Sequence, residues 1–78
     1  MDELIEFIGR NLATVPDEVR VERFRRHHLH VYKLFVDPQD MGRVIGRQGR
    51  VAIAIRAVMQ AAPISQGRRL ALDIQEAS

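Results

Sequence analysis

Seventy-eight residues make one module, because domains run to about 100–200 residues and a second core has no room to form. Apolar residues at 46%, charged residues at 28% and a net charge of +2 give a globular composition, far from the low-hydrophobicity, high-charge signature of disorder. The lack of cysteine excludes a disulfide scaffold, a thiolate zinc site and a cysteine nucleophile, and no apolar run approaches the ~20 residues of a membrane span.

The acidic opening Asp2-Glu3 complements a helix N-terminus. Behind it Leu4, Ile5, Ile8 and Leu12, with Phe7 beside them, recur at helical spacing and predict a helix over about 2–13. The same opening lacks the basic n-region of a secretory signal, so a cytoplasmic protein is expected. Thr14-Val15-Pro16-Asp17 breaks the helix, and Val19 to Phe24 then alternates as a strand. Arg25-Arg26-His27 is a corner poor in turn formers. Leu29 to Val36 is β-branched, aromatic or aliphatic, a second strand expected to pair antiparallel with the first.

Asp37-Pro38-Gln39-Asp40 starts a helix, with an N-cap carboxylate, proline at the first helical position and an acid at the third. That helix is short, because Met41 to Ile45 runs into Gly46-Arg47-Gln48-Gly49. Val51, Ile55, Val58, Met59 and Ala62 then line one face of a longer helix, which Pro63 stops. Ser65-Gln66-Gly67 is turn chemistry, and Leu70, Leu72 and Ile74 alternate with Ala71 and Asp73 as a third strand. The order α-β-β-α-α-β describes an α+β domain occupying residues 1–78.

Charge is unevenly spread. Residues 1–40 carry six basic and eight acidic groups, whereas residues 41–72 hold Arg43, Arg47, Arg50, Arg56, Arg68 and Arg69 with no acid. Eleven of the twelve basic residues are arginine, which suits forked contact with phosphate. Gly46 and Gly49, between two helices, let the chain turn tightly and approach a ligand with no Cβ in the way. The loop stands at the N-terminus of the long helix, where free N–H groups and the helix dipole favour phosphate. Arg47 and Arg50 bracket the spot.

The run Val44-Ile45-Gly46-Arg47-Gln48-Gly49, between two helices and before a final strand, resembles the signature loop of KH domains. The helix-first order resembles the type II arrangement, a three-stranded sheet packed against three helices. Asp40 to Arg50, Ala54-Ile55-Arg56 and the preceding Pro16-Asp17-Glu18-Val19 are similar to the small bacterial KH proteins of the KhpA (YlqC) family over nearly the whole chain. That resemblance implies an RNA-binding protein and RNA chaperone of the cytoplasm. It further implies pairing with a second KH protein of the KhpB type, or with a second copy, and a link to cell-wall homeostasis and cell elongation. By the same resemblance, the sugar-phosphate backbone of single-stranded RNA lies across Gly46, Arg47, Gln48 and Gly49. Bases then enter a groove walled by Val44, Ile45, Val51 and the second strand, and Arg43, Arg50 and Arg56 supply further charge. Neither a cofactor, a metal, a membrane nor a small-molecule substrate is implied.

Other readings compete. His28 and His30 are expected on one face of a strand, yet with His27 they lack a third ligand at metal-binding spacing and read as solvated surface. Catalysis is disfavoured, since Ser65 and Ser78 are the only serines and no carboxylate pair is set around a pocket. A helix-turn-helix that reads DNA is the stronger rival, but the outward face of its second helix, Ile53, Arg56, Ala57 and Gln60, offers only two side chains able to read base edges. A pure protein-interaction module is the third. Ile53 is an aliphatic residue on that outward face, open to two readings: a single exposed apolar residue, or a contact with a partner subunit or a base.

Overall fold

The computed structural model describes residues 1–77, and its six regular elements follow the expected order. They are α1 (Asp2–Leu12), β1 (Arg20–Arg26), β2 (Leu29–Val36), α2 (Met41–Ile45), α3 (Arg50–Ala61) and β3 (Arg69–Glu76). Short 3-10 turns, three of them opened by Pro16, Pro38 and Pro63, precede β1, α2 and β3, as proline's fixed φ favours. Among the described residues no helix is long and apolar enough to cross a membrane.

The sheet runs β1-β2-β3. β1 and β2 pair antiparallel from Arg20 opposite Phe35 to Arg26 opposite Leu29. β2 and β3 pair parallel from Leu29 beside Arg69 to Val36 beside Glu76, which requires a crossover, and α2 and α3 supply it. Strand alternation turns Tyr32, Leu34 and Val36 of β2 toward the helices, where they are buried with Ile5 of α1, Val44 of α2, Ile55 and Met59 of α3, and Leu72 of β3. All three helices therefore cover one face of the sheet. α1 lies close because Gly9 is buried: a Cβ there would meet Leu34 and Val19 side chains at 3.0 Å.

Three local expectations are corrected. β1 runs on through Arg26, so the hairpin closes through the two residues His27-His28, with His27 at φ 55°. His28 therefore stands in the turn and shares no strand face with His30. On α3 the buried stripe is Ala52, Ile55 and Met59, while Val58 is 44% exposed. The buried face is centred on Ala52, Ile55 and Met59, and Arg56 on the adjoining flank reaches a strand carbonyl. Asp40, read as the acid at the third position of a helix start, is 1% exposed and turned into the protein. Asp37 does the local capping, accepting from the Gln39 N–H at 3.0 Å.

Asp40 holds two segments together. Its carboxylate accepts from the Thr14 hydroxyl at 2.7 Å, the Thr14 N–H at 3.0 Å and the Val15 N–H at 3.1 Å, fixing the chain after α1 to the start of α2. The Thr14 hydroxyl leads in holding its carboxyl below the ordinary value of 3.8, aided by the two backbone N–H groups and Arg43 and opposed by burial.

Candidate nucleic-acid interface

α2 is stopped by Gly46, whose N–H closes the helix on the Gly42 carbonyl at 2.8 Å and whose φ of 80° and ψ of 168° turn the chain away. That conformation is all but confined to glycine. A Cβ on Gly46 would lie 2.8 Å from the Val51 nitrogen and 2.5 Å from its Cγ2, so the side chain of Val51 occupies the space a larger residue would need. The Gly49 N–H then bonds the Gly46 carbonyl at 3.1 Å. Gln48 at φ 57° and Gly49 at φ 75° are both left-handed, and Gly49 is the N-cap of α3 without a side-chain cap. The first N–H of α3, that of Arg50, closes on the Arg47 carbonyl, and the positive end of the helix dipole is directed at the loop. Nothing lies within 4 Å of the position a Gly49 Cβ would take, so a ligand's backbone can approach on that side.

Arg47 and Gln48 are exposed at the tip, and Arg50 is exposed on the first turn of α3. Arg43 stands on α2, also exposed. Among the described residues none of Arg43, Arg47, Arg50 and Arg56 forms a salt bridge. Their charge is therefore available to an anion approaching the loop.

The apolar residues divide differently from expectation. Ile45 and Val51 are half-buried and border the loop. Val44 is 0% exposed and packs in the core, so it supports α2 from beneath and cannot wall a groove. The second strand is likewise no wall, since β2 is central in the sheet and its helix-facing residues are consumed by the core. The strand beside α3 is β3. Arg56 donates to the Leu72 carbonyl at 3.4 Å and Gln60 to the Leu70 carbonyl at 3.5 Å. These two side chains tie α3 to β3, the edge strand of the sheet, along the flank that follows the loop. Ile53, 59% exposed, lies one turn from Arg56 on the same flank. The sequence placed Gln60 with Arg56 on the outward face of the helix but offered no signal for the β3 edge, because pairing of β3 with β2 alone decides which strand α3 adjoins.

The histidines lie elsewhere, at the hairpin, and among the described residues no three metal-ligating side chains converge. The Ser65 hydroxyl is buried, 2.7 Å from the carbonyls of Gln60 and Ala62, and serves the turn after α3.

A glycine-bracketed loop between two helices, opening onto an edge strand, is the arrangement that defines a KH module, and the family model for the KhpA/KhpB KH domain matches residues 2–74. The chain belongs to the KhpA/KhpB KH-domain family. A KhpA relative from Halalkalibacterium halodurans, named as an RNA-binding protein, is 51% identical over 75 residues, covering 95% of this chain and 97% of its own. The KhpA of Clostridium acetobutylicum, with the same name, is 42% identical over 74 residues, covering 95% and 99%. That of Aquifex aeolicus is 36% identical over 76 residues, covering 97% and 96%. No solved structure matches the chain significantly.

Proposed function

We infer that the protein binds single-stranded RNA without catalysing a reaction. The observation that carries this reading is the loop itself. Gly46 turns the chain sharply and Gly49, with nothing within 4 Å of its Cβ position, leaves one side open at the N-terminus of α3, surrounded by Arg43, Arg47 and Arg50, which among the described residues form no salt bridge. A sugar-phosphate backbone laid across Gly46, Arg47, Gln48 and Gly49 meets the positive end of the α3 dipole and guanidinium forks together. About four nucleotides are held in this way in KH modules. Bases then turn toward Ile45, Val51 and Arg56, beside the edge strand β3. Phosphate contacts supply affinity and the groove a modest base preference. RNA-binding relatives at up to 51% identity support the same ligand.

The paired reading of the family name supports a partnership with a KhpB-type KH protein or with a second copy. The exposed aliphatics Ile53, Val58 and Ile64 offer apolar area for it. A second domain raises affinity for one strand through effective concentration. We assign to this assembly, in the cytoplasm, an RNA-chaperone role linked to cell-wall homeostasis and cell elongation.

Charge reversal at the loop tip tests the ligand and its site together. Arg47→Asp with Gln48→Asp is chosen over substitution of Gly46, because aspartate tolerates the left-handed conformation of residue 48, whereas any side chain at 46 strikes Val51. The double variant is expected to keep its circular dichroism spectrum and to lose binding to a labelled single-stranded RNA in an anisotropy titration. Unchanged affinity with an unchanged spectrum removes the loop as the site. Preference for duplex DNA over the single strand transfers the function to the helix-turn-helix alternative.

A further inference from the structure

The hairpin joining β1 and β2 gathers charge from two stretches of sequence far apart. Antiparallel pairing puts Arg26 on one side of Leu29, and parallel pairing puts Arg69 on the other, so the three stand in a row on one face. With His27 and His28 they border a shallow hollow of about 230 Å³. On the opposite face Arg25 faces His30, and both border a second hollow of about 310 Å³ with Arg23 and Arg68. Arg23 is engaged by Asp2 at 3.7 Å. Among the described residues Arg25, Arg26, Arg68 and Arg69 form no salt bridge. Four unneutralised guanidinium groups at one end of a sheet repel one another, which a polyanion relieves.

Backbone geometry adds a separate observation. Two-residue hairpin turns place Asn or Gly where φ is positive, yet His27 adopts φ 55°. The chain thus keeps a ring-bearing tip at a position where a better turn former is available, as happens where strain is retained for a ligand.

We propose that the hairpin end of the sheet is a second contact site for the backbone of the bound RNA, a reading that rests on the RNA-binding function above. The site lies at the opposite end of α3 from the glycine loop, because α3 runs from that loop toward the start of β3. Its 12 residues span about 18 Å. A strand of about four nucleotides fills the groove alone, and a longer one continues to Arg25 and Arg68. Arginine forks bind its phosphates there, and the histidine rings add N–H donors and flat surfaces for unstacked bases.

The test compares labelled single-stranded RNAs of 4 and 12 nucleotides, titrated by anisotropy against wild type, Arg25→Glu/Arg68→Glu and Arg26→Glu/Arg69→Glu, with circular dichroism confirming each fold. Wild type is expected to bind the 12-mer at least tenfold more tightly than the 4-mer. Its salt slope should be steeper by about 1.4, two phosphate contacts at about 0.7 each. Either charge-reversed variant should lose this gain while keeping the 4-mer affinity, and the second pair supplies the answer if the first disturbs the fold. Equal affinity of wild type for both RNAs, or full 12-mer affinity in the folded variants, overturns the second site and leaves the loop reading intact. Binding of neither RNA by wild type overturns both. Displacement of the 12-mer's added affinity by polyglutamate at equal charge assigns the patch to acidic polypeptides and overturns the proposal.

Discussion

Alanine at each loop glycine in turn separates two roles that look alike in the motif. At Gly49 the backbone is left-handed, φ 75° and ψ 12°, but the space around a Cβ is empty. Left-handed strain of about 1–2 kcal/mol is partly offset by about 0.4–1 kcal/mol from the restricted unfolded chain, leaving a net loss near 1 kcal/mol. At Gly46 the conformation is open almost only to glycine, costing about 1–3 kcal/mol. The new methyl also meets the Val51 backbone nitrogen at 2.8 Å, and forced repacking adds about 1–3 kcal/mol. The sum, about 2–6 kcal/mol, is a large part of the roughly 4–12 kcal/mol expected for a domain of this length. At about 4–8 °C per kcal/mol, Gly49→Ala should lower Tm by roughly 5 °C, and Gly46→Ala by more than about 10 °C or to complete unfolding. Thermal unfolding followed by circular dichroism measures both. On the proposed reading of the loop, Gly49→Ala should also weaken RNA binding while the fold survives, since the new methyl would stand on the side left open for the phosphate backbone. Equal losses at the two positions, or a larger loss at Gly49, would refute the claim that Val51 fills the space behind Gly46.

Three further outcomes are expected. If three or four of Arg43, Arg47, Arg50 and Arg56 meet phosphates, log K for a short single-stranded RNA should fall against log salt with a slope of about −2 to −3, and a flat titration removes the electrostatic part of the mechanism. Asp40→Asn should lower the urea midpoint at neutral pH, because the hydrogen bonds from Thr14 and Val15 lose their charged acceptor. Since the folded carboxyl titrates below the ordinary 3.8, its stabilisation is present above that value and lost as pH falls through the depressed one, so the gap between wild type and variant should close in acid; a gap that is constant down to acid unfolding contradicts this. Ile53→Lys should shift a dimer toward monomer in analytical ultracentrifugation by about ten- to a hundredfold, corresponding to burial of roughly 1.5–3 kcal/mol, whereas wild-type sedimentation and RNA affinity together would make Ile53 simply exposed.

Local chemistry made much of this protein readable in advance. Leu29 to Val36 is a strand at the bounds its β-branched and aromatic residues indicate, and Pro38 and Pro63 mark a helix start and stop because proline cannot occupy a helix interior. Gly46-Arg47-Gln48-Gly49 reveals its turn, and its place before a helix, from spacing alone. Helical periodicity located α3 but misjudged its rotation, since Val51, Ala52, Ile55, Val58 and Met59 form an apolar arc wider than the face that the sheet covers. Val44 was counted among the groove's apolar residues because nothing local distinguishes a buried valine from one that borders a hollow.

Composition and spacing thus determined the elements, their order and the loop, all properties of residues within a few positions of one another. Tertiary structure decided what depends on pairing between distant segments. Parallel pairing of β3 with β2 made β3, and not β2, the neighbour of α3 at the groove. Packing of the Asp40 carboxylate against Thr14 and Val15 changed an apparent first-turn acid into the clamp between the chain after α1 and the start of α2. Along the chain, Arg25 and Arg26 fall in an acidic half and Arg68 and Arg69 in a basic one. The sheet register brings them to one end, because strand pairing sets neighbours about 4.8 Å apart regardless of the sequence between them.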